Sequence, residues 1–210
     1  MANVFFSVTM SLDGCMAPEF MKLDQPAEAW LSQWMELQKY MFQQRFVRET
    51  LKLGEGGETG EDNRILEETF KRTGASIMGK RMFDGGEHSW PEEAPFHTPV
   101  FVLTKEVRSP WERPGGTTFH FINDGIESAL RQAGEVAGGR DIRIAGGANA
   151  IVQYLNAGLV DEFSIALSPL FLGNGLRLFD GVDHRRIALD IVEAIHSPMV
   201  THLSYAVGRR

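Results

Sequence analysis

The sequence predicts a three-layer α/β fold around a mostly parallel central sheet, with an antiparallel hairpin at its C-terminal edge. After Gly74, short apolar runs that end in glycine or charged turns alternate with amphipathic helical patterns, as strands joined by crossover helices do. Many of these runs are rich in Val, Ile and Phe, as expected for parallel strands buried on both faces. The last two runs, 189–196 and 200–207, are separated by a Ser-Pro turn, which predicts the hairpin.

Composition indicates a globular protein and excludes several functional classes. The 210 residues are 43% hydrophobic and 23% charged, and a chain of this length buries roughly 70% of its unfolded surface. The single cysteine, Cys15, excludes a disulfide framework and fits a reducing compartment. The formal net charge of −7 argues against nucleic-acid binding through phosphate neutralisation. No apolar run could span a membrane and no signal peptide is recognisable, so we expect a cytoplasmic protein.

The first third of the chain predicts a strand followed by a helical region. The run Val4–Met10 predicts the strand, which Asp13-Gly14 ends. Apolar residues recur every three or four positions from 28 to 52 and predict one helix. The glycine-rich stretch 54–60 predicts a mobile loop, and Asp62 or Asn63 is the expected cap of a second helix that ends near Gly74.

The remaining elements follow in order along the chain. Helical patterns cover 126–136 and the segment after Gly147 that contains Ile151, Tyr154 and Leu155. We interpret residues 1–210 as a single domain with a helical or loop insertion at 19–63. Strands are predicted at 75–78, 99–104, 117–122, 141–145, 161–170, 189–196 and 200–207.

Three predicted strand ends carry small or basic residues suited to a phosphate group. Ligands of open parallel sheets bind beyond the carboxyl ends of the strands. Gly146-Gly147-Ala148-Asn149 would let backbone approach an anion at a helix N-terminus, although a tight turn needs the same glycines. Gly79-Lys80-Arg81 offers an arginine that can grip phosphate, and Thr104-Lys105 offers a hydroxyl and a charge. Each alone also fits a solvated loop, but together they predict a nucleotide along one sheet edge.

Six motifs, taken in order, carry a resemblance to a known superfamily, although neither a G-x-G-x-x-G fingerprint nor a Walker loop is present. The motifs are Ser7–Gly14, Ile77–Phe83, Val100–Lys105, Ala145–Ala148, Gly158–Glu162 and Pro169–Phe179. The series is similar to the dihydrofolate-reductase-like superfamily, in particular to the C-terminal reductase domain of the riboflavin-biosynthesis deaminase/reductase, over residues 3–18 and about 65–207.

The resemblance implies a dihydrofolate-reductase-like fold that binds NADPH and transfers a hydride to a pterin, pyrimidine or related small ring. It implies a homodimer through the strands after Asp161, and a pyrophosphate cradle at Gly146-Gly147, whose linking peptide is often cis in such reductases. Lys80 and Met82 stand where the superfamily has arginine and threonine, a departure that bears on the 2′-phosphate. With the residue pattern and the resemblance taken together, the expected cofactor contacts are Ser11, Leu12, Gly79, Lys80, Arg81, Thr104, Lys105, Gly146, Gly147, Ala148 and Asn149.

The proton donor is the least defined part of the expected site. Asp13 is the first candidate for a general acid because it follows the first strand, but an Asp-Gly turn explains it equally well. Water could also supply the proton. Further candidate acids are Asp24, Glu28 and Glu36.

The other features leave alternatives open. Trp30 and Trp34 lie one helical turn apart and predict either core packing or a stacking wall for a planar substrate. The six histidines lack metal-ligand spacing, so no metal is expected. Two rival functions are a nucleotide-binding protein of the same fold without turnover, which the lack of an alignable acid favours, and a flavin-dependent reductase.

Overall fold

A nine-stranded sheet forms the centre of the computed structural model, which describes residues 2–19 and 30–209. The strands are β1 Val4–Ser11, β2 Cys15–Pro18, β3 Thr73–Gly79, β4 Val100–Leu103, β5 Trp111–Arg113, β6 Thr117–Ile122, β7 Asp141–Gly146, β8 Glu162–Ser168, β9 Gly175–Arg177, β10 Ile187–His196 and β11 Thr201–Arg209. The sheet order is β10-β11-β8-β1-β7-β3-β4-β6-β5, and β2 pairs with β9 separately. The six strands from β8 to β6 are parallel, whereas β10, β11 and β5 are antiparallel additions at the edges. The predicted mostly parallel sheet with a C-terminal hairpin is therefore confirmed.

Helices cover both faces of this sheet. They are α1 Leu31–Leu37, α2 Lys39–Phe42, α3 Arg45–Thr50, α4 Glu61–Arg72, α5 Lys80–Glu87, α6 Ile126–Val136 and α7 Ala148–Asn156. Side chains alternate between the two faces of a strand. On β3, Ile77 joins the core that includes α6 and α7, and the next residue, Met78, joins the core that includes α5. On β8, Ala166 faces the cluster formed by α2, α3 and α4. Among the described residues, no helix combines the length and apolar character needed to cross a bilayer.

The single helix predicted over 28–52 is wrong for the described part of that range, which forms three short helices. The chain leaves the helical path at Gln44, whose ψ is 138°. Gln44 forms a parallel bridge with Glu58, and the Arg45 amide donates to the Glu58 carbonyl at 2.9 Å. Partners outside the helix therefore compete for backbone groups that a continuous helix would use. These bonds also attach the glycine-rich loop 54–60 to the helical region.

The predicted cap of the second helix is also wrong. Gly60 is the N-cap of α4, and Asp62 and Asn63 lie within the first turn. Both side chains are committed to tertiary bonds: Asp62 Oδ1 lies 2.6 Å from His202 Nε2, and Asn63 Oδ1 accepts the Phe46 amide at 2.8 Å. Residues that favour helix caps instead connect α4 to its neighbours.

Candidate functional site

The sheet brings the three predicted phosphate stretches to one edge. β7 ends at Gly146, β3 at Gly79 and β4 at Leu103, and these strands are neighbours in the order β7-β3-β4. Because neighbouring strands lie about 4.8 Å apart, residues 79–81, 104–105 and 146–149 line one continuous border. We call this border the glycine rim.

An open space lies above Gly147 at the centre of the glycine rim. A Cβ atom added to Gly147 would meet no atom of the described chain within 4 Å. A Cβ added to Gly79 would lie 3.7 Å from the Gly147 amide nitrogen, so the two loops are adjacent. Gly147 is the N-cap of α7, and its peptide with Gly146 is cis. The backbone amides that begin α7 thus border a space that an anion could enter.

Lys80 connects two of the rim segments through acidic partners. Its Nζ donates to Asp84 Oδ1 at 2.5 Å and lies 3.5 Å from Glu106 Oε1. The hydrogen bond to Asp84 raises the pKa of Lys80 above its ordinary value. The positive charge of Lys80 is therefore shared between the carboxylates of Asp84 and Glu106.

Thr104, Asn149 and the nearby Arg108 have defined hydrogen-bond partners. The Thr104 hydroxyl accepts the Glu106 amide at 3.0 Å, and Asn149 Oδ1 accepts Gln153 Nε2 at 2.7 Å. Arg108, in the segment between β4 and β5, pairs with Glu87 at 2.7 Å and lies over the Phe121 ring. Arg108 thus belongs to the aromatic cluster behind the rim.

Asp13 is held as an anion by the loop that follows β8. Its carboxylate accepts hydrogen bonds from the Ser11 hydroxyl at 2.5 Å and from the amides of Leu172 and Gly173 at 3.1 and 2.7 Å. These bonds, that from Ser11 first, hold the pKa of Asp13 below its ordinary value. A carboxyl group with a lowered pKa is ionised near neutral pH and is therefore a poor proton donor. These contacts fit a structural role for Asp13 better than the role of a general acid.

Two methionine side chains lie near Gly146, and Leu12 is exposed in the loop after β1. Leu12 follows β1, donates its amide to the Leu170 carbonyl at 2.9 Å, and is 48% exposed. A Cβ on Gly146 would lie 3.2 Å from Met82 Sδ and 3.8 Å from Met16 Cε. Sequence reasoning missed Met16 and noticed Met82 only as a departure from a motif, because neither carries a chemical signal of its own.

The predicted tryptophan pair is divided between two environments. The Trp34 ring packs edge to face on Phe42 at a centroid distance of 5.6 Å, which fits core packing. Trp30 Nε1 is buried without an acceptor in the part of the chain that the structure describes. Glu36 is exposed and pairs with Lys39. The candidate acids Asp24 and Glu28 lie outside the described residues.

Neither the single cysteine nor a metal-binding cluster adds reactive chemistry to the described residues. Burial raises the pKa of the Cys15 thiol, as expected for an unreactive core cysteine. Within 2–19 and 30–209, no three His, Cys, Asp or Glu side chains cluster closely enough to hold a metal ion.

The mostly parallel sheet, with helices on both faces and two paired glycines at its carboxyl edge, has the dihydrofolate-reductase-like fold. The family model described as the RibD C-terminal domain matches residues 2–201, so the chain belongs to that family. An uncharacterized protein of Bacillus subtilis, YyaP, is 34% identical over 88 residues, a match that spans 42% of each chain.

Solved structures support the same fold. A putative riboflavin biosynthesis protein from Shewanella sp. PV-4 matches over 100% of both chains with a TM-score of 0.65 and 21% identity. The Thermotoga maritima diaminohydroxyphosphoribosylaminopyrimidine deaminase/5-amino-6-(5-phosphoribosylamino)uracil reductase matches 98% of this chain and 56% of its own, with a TM-score of 0.58 and 14% identity. Enterococcus faecalis dihydrofolate reductase complexed with NADP(H) covers 99% of this chain and 96% of its own, with a TM-score of 0.55 and 14% identity.

Proposed function

We propose that this chain is an NADPH-dependent reductase that transfers a hydride to a C=N or C=O bond of a pterin, pyrimidine or related small cyclic substrate. The observation that carries the proposal is the open space above Gly147, bordered by the N-terminus of α7. Membership of a reductase family and the NADP(H) complex of a protein with the same fold support a nicotinamide cofactor. NADPH would supply the hydride, and the protein would supply binding and orientation.

The rim residues divide naturally among the parts of the dinucleotide. Gly146, Gly147, Ala148 and Asn149 would face the pyrophosphate, because they form the turn that begins α7. Gly79, Lys80, Arg81, Thr104 and Lys105 would face the adenosine end, and Ser11 and Leu12 the nicotinamide end.

We propose that water supplies the proton and that Asp13 is a positioning residue. The Asp13 carboxylate joins the loops after β1 and β8 through the Leu172 and Gly173 amides.

We also propose that α1–α3, within the 19–63 insertion, cap the substrate end of the sheet. Two bonds attach this region to the strands: Ser168 Oγ donates to the Leu37 carbonyl at 3.0 Å, and Thr9 Oγ1 donates to Gln38 Oε1 at 2.7 Å.

The direct test combines NADPH binding with turnover. Quenching of NADPH fluorescence reports binding, and loss of NADPH absorbance reports oxidation in the presence of pterin, pyrimidine and quinone substrates. Binding with oxidation supports the reductase. Binding without oxidation across the panel supports the non-catalytic rival, which the engaged Asp13 carboxylate also favours, and a yellow purified protein supports the flavin-dependent rival. The absence of NADPH binding would contradict the proposal.

Asp84→Asn should tighten NADPH binding about fivefold while changing NADH binding little. The Asp84 carboxylate accepts a hydrogen bond from the Lys80 ammonium. It would repel a 2′-phosphate bound to the same ammonium. Removing one such charge contact near the surface is worth about 1 kcal/mol. Dissociation constants for both cofactors measure the effect, and Glu135→Gln, an exposed acid on α6, is the control. An equal change for both cofactors would show that Lys80 does not meet the 2′-phosphate.

We propose a homodimer that uses β10, the edge strand of the sheet. β10 exposes Leu189, Ile191 and Val192 at 50%, 76% and 64%, and an edge strand with exposed apolar residues is prone to associate. Light scattering should report twice the chain mass, and Ile191→Lys should shift the protein to monomer. A monomeric wild-type protein would contradict this arrangement.

We also propose a cytoplasmic location, from the sequence alone.

A further inference from the structure

A cavity of about 380 Å³ lies at the amino ends of the strands, on the edge of the sheet opposite the glycine rim. Its walls come from α3, α4, the segment before β4 and Arg140, which immediately precedes β7. The seven residues of β3 span about 20 Å between the two edges, and none of the described lining residues belongs to the rim. Small-molecule sites have volumes of about 300–1,000 Å³. This space, the amino-edge cavity, is therefore a candidate binding site separate from the cofactor site.

Three phenylalanine rings form the apolar part of this cavity wall. Phe46 of α3 and Phe70 of α4 pack edge to face at a centroid distance of 5.2 Å. Phe96 packs edge to face on Trp90 at 5.1 Å, so the aromatic cluster behind the rim fixes its position. All three rings are only half-buried. Each therefore keeps apolar surface that another aromatic ring would cover well.

Two cations on the cavity wall lack a counter-ion. Lys71, in the last turn of α4, and Arg140 are both exposed, and neither side chain forms an ion pair or hydrogen bond with another described residue. Glu67 is the carboxylate of the described lining, and it accepts a hydrogen bond from Asn63 Nδ2 at 3.2 Å. The chain as a whole has a formal net charge of −7. Two unpaired cations beside one cavity therefore form a local positive site that attracts an anion.

The opposite walls of the amino-edge cavity are tied together through Glu93. Its carboxylate pairs with Lys52, just after α3, at 3.1 Å and lies 3.8 Å from Nδ1 of His97, a lining residue. Among the described residues, Lys52 and His97 are the non-glycine residues with a left-handed backbone, with φ of 55° and 51°. Such conformations persist where the surrounding contacts impose them, often at binding sites. The cavity is thus shaped by the protein's own contacts, which lowers the cost of binding a ligand.

We propose that the amino-edge cavity binds a planar aromatic anion, a flat ring that carries a carboxylate or phosphate group. The ring would pack against the three phenylalanines, and the anionic group would face Lys71 and Arg140. This second site goes beyond the reductase function and does not depend on it, since it lies at the other edge of the sheet.

Isothermal titration calorimetry of the wild-type protein tests the class of ligand with four probes. Benzoate and phenyl phosphate carry both a ring and an anionic group, benzamide carries the ring without the charge, and cyclohexanecarboxylate carries the charge without an aromatic ring. We expect saturable binding of benzoate or phenyl phosphate, and the tighter of the two identifies the anionic group. Benzamide and cyclohexanecarboxylate should bind about tenfold more weakly, because each lacks one of the two contacts. Binding of neither aromatic anion, or equal affinity for either of the other probes, would overturn the proposal.

Arg140→Gln and Lys71→Gln test where the tighter aromatic anion binds. Each should weaken its binding about fivefold, because each removes a charge-assisted contact. Arg131→Gln makes the same change in net charge at an exposed residue of α6 that pairs with Glu135, and it should bind the probe as wild type does. An equal loss in all three variants would show a general charge effect and contradict the site. A probe that NADPH displaces and that Arg140→Gln leaves unaffected would lie at the glycine rim, which would also contradict it. Probe binding at the amino edge without NADPH oxidation would keep this site and reject the reductase function.

Discussion

Gly147→Val should weaken NADPH binding at least a hundredfold while leaving the fold intact. The backbone at Gly147 has φ −78° and ψ −169°, a conformation open to any residue. Because no atom of the described chain lies within 4 Å of an added Cβ, the valine would occupy only the space assigned to the pyrophosphate. A hundredfold loss corresponds to about 2.8 kcal/mol. Fluorescence titration gives the affinity, and thermal unfolding checks the fold.

Gly60→Val is a closely matched control for this substitution. Gly60 is also a helix N-cap with an extended backbone, φ −76° and ψ −156°, and an added Cβ there also meets open space. Two residues later, Asp62 pairs with His202 on β11, three positions from β7 in the sheet. We expect both variants to unfold at similar temperatures and only Gly147→Val to lose NADPH. Wild-type affinity in Gly147→Val would refute the placement of the cofactor at the glycine rim.

Phe83→Ala should lower the free energy of unfolding by about 3–5 kcal/mol, the usual cost of removing a buried phenyl ring. Phe83 is fully buried in α5, and the cavity would lie at the centre of an aromatic cluster. Denaturant unfolding followed by circular dichroism measures the change. The rings that contact Phe83 at centroid distances of 5.2 to 6.2 Å are Trp90, Trp111, Phe119 and Phe121.

Phe171→Ala provides the control, because the same side chain is 75% exposed there and its loss should cost less than about 0.5 kcal/mol. Since α5 begins at Lys80, the Phe83 variant should also weaken NADPH binding by loosening the rim. A Phe83→Ala protein within 1 kcal/mol of wild type would show that this cluster is not part of the cooperative core.

The regular elements with strong periodic patterns were predictable. Helix 126–136 and strand 117–122 have the predicted bounds, because their apolar spacing matches the face each one buries. Strands β2, β5 and β9 were missed. They contain only three or four residues, too few for a periodic pattern.

The predicted helix over 28–52 shows where local pattern and tertiary structure conflict. The three- and four-residue spacing of apolar side chains continues through the breaks in the described part of that range. Backbone hydrogen bonds between Glu58 and the segment 43–45 nevertheless interrupt the helix at Gln44. These partners are distant in the chain, so no local window could reveal them.

By itself, the sequence determined the fold class, the family and the three loops that could meet a phosphate. Apolar periodicity and the order of motifs can both be read directly along the chain. Only the tertiary structure decided how the charged groups are used. Asp13 is tied to a loop about 160 residues away, Lys80 is shared between two acids, and Arg140 lacks a counter-ion among the described residues. The physical reason is that hydrogen bonding, desolvation and charge pairing depend on distance in space, which neither residue type nor sequence spacing specifies.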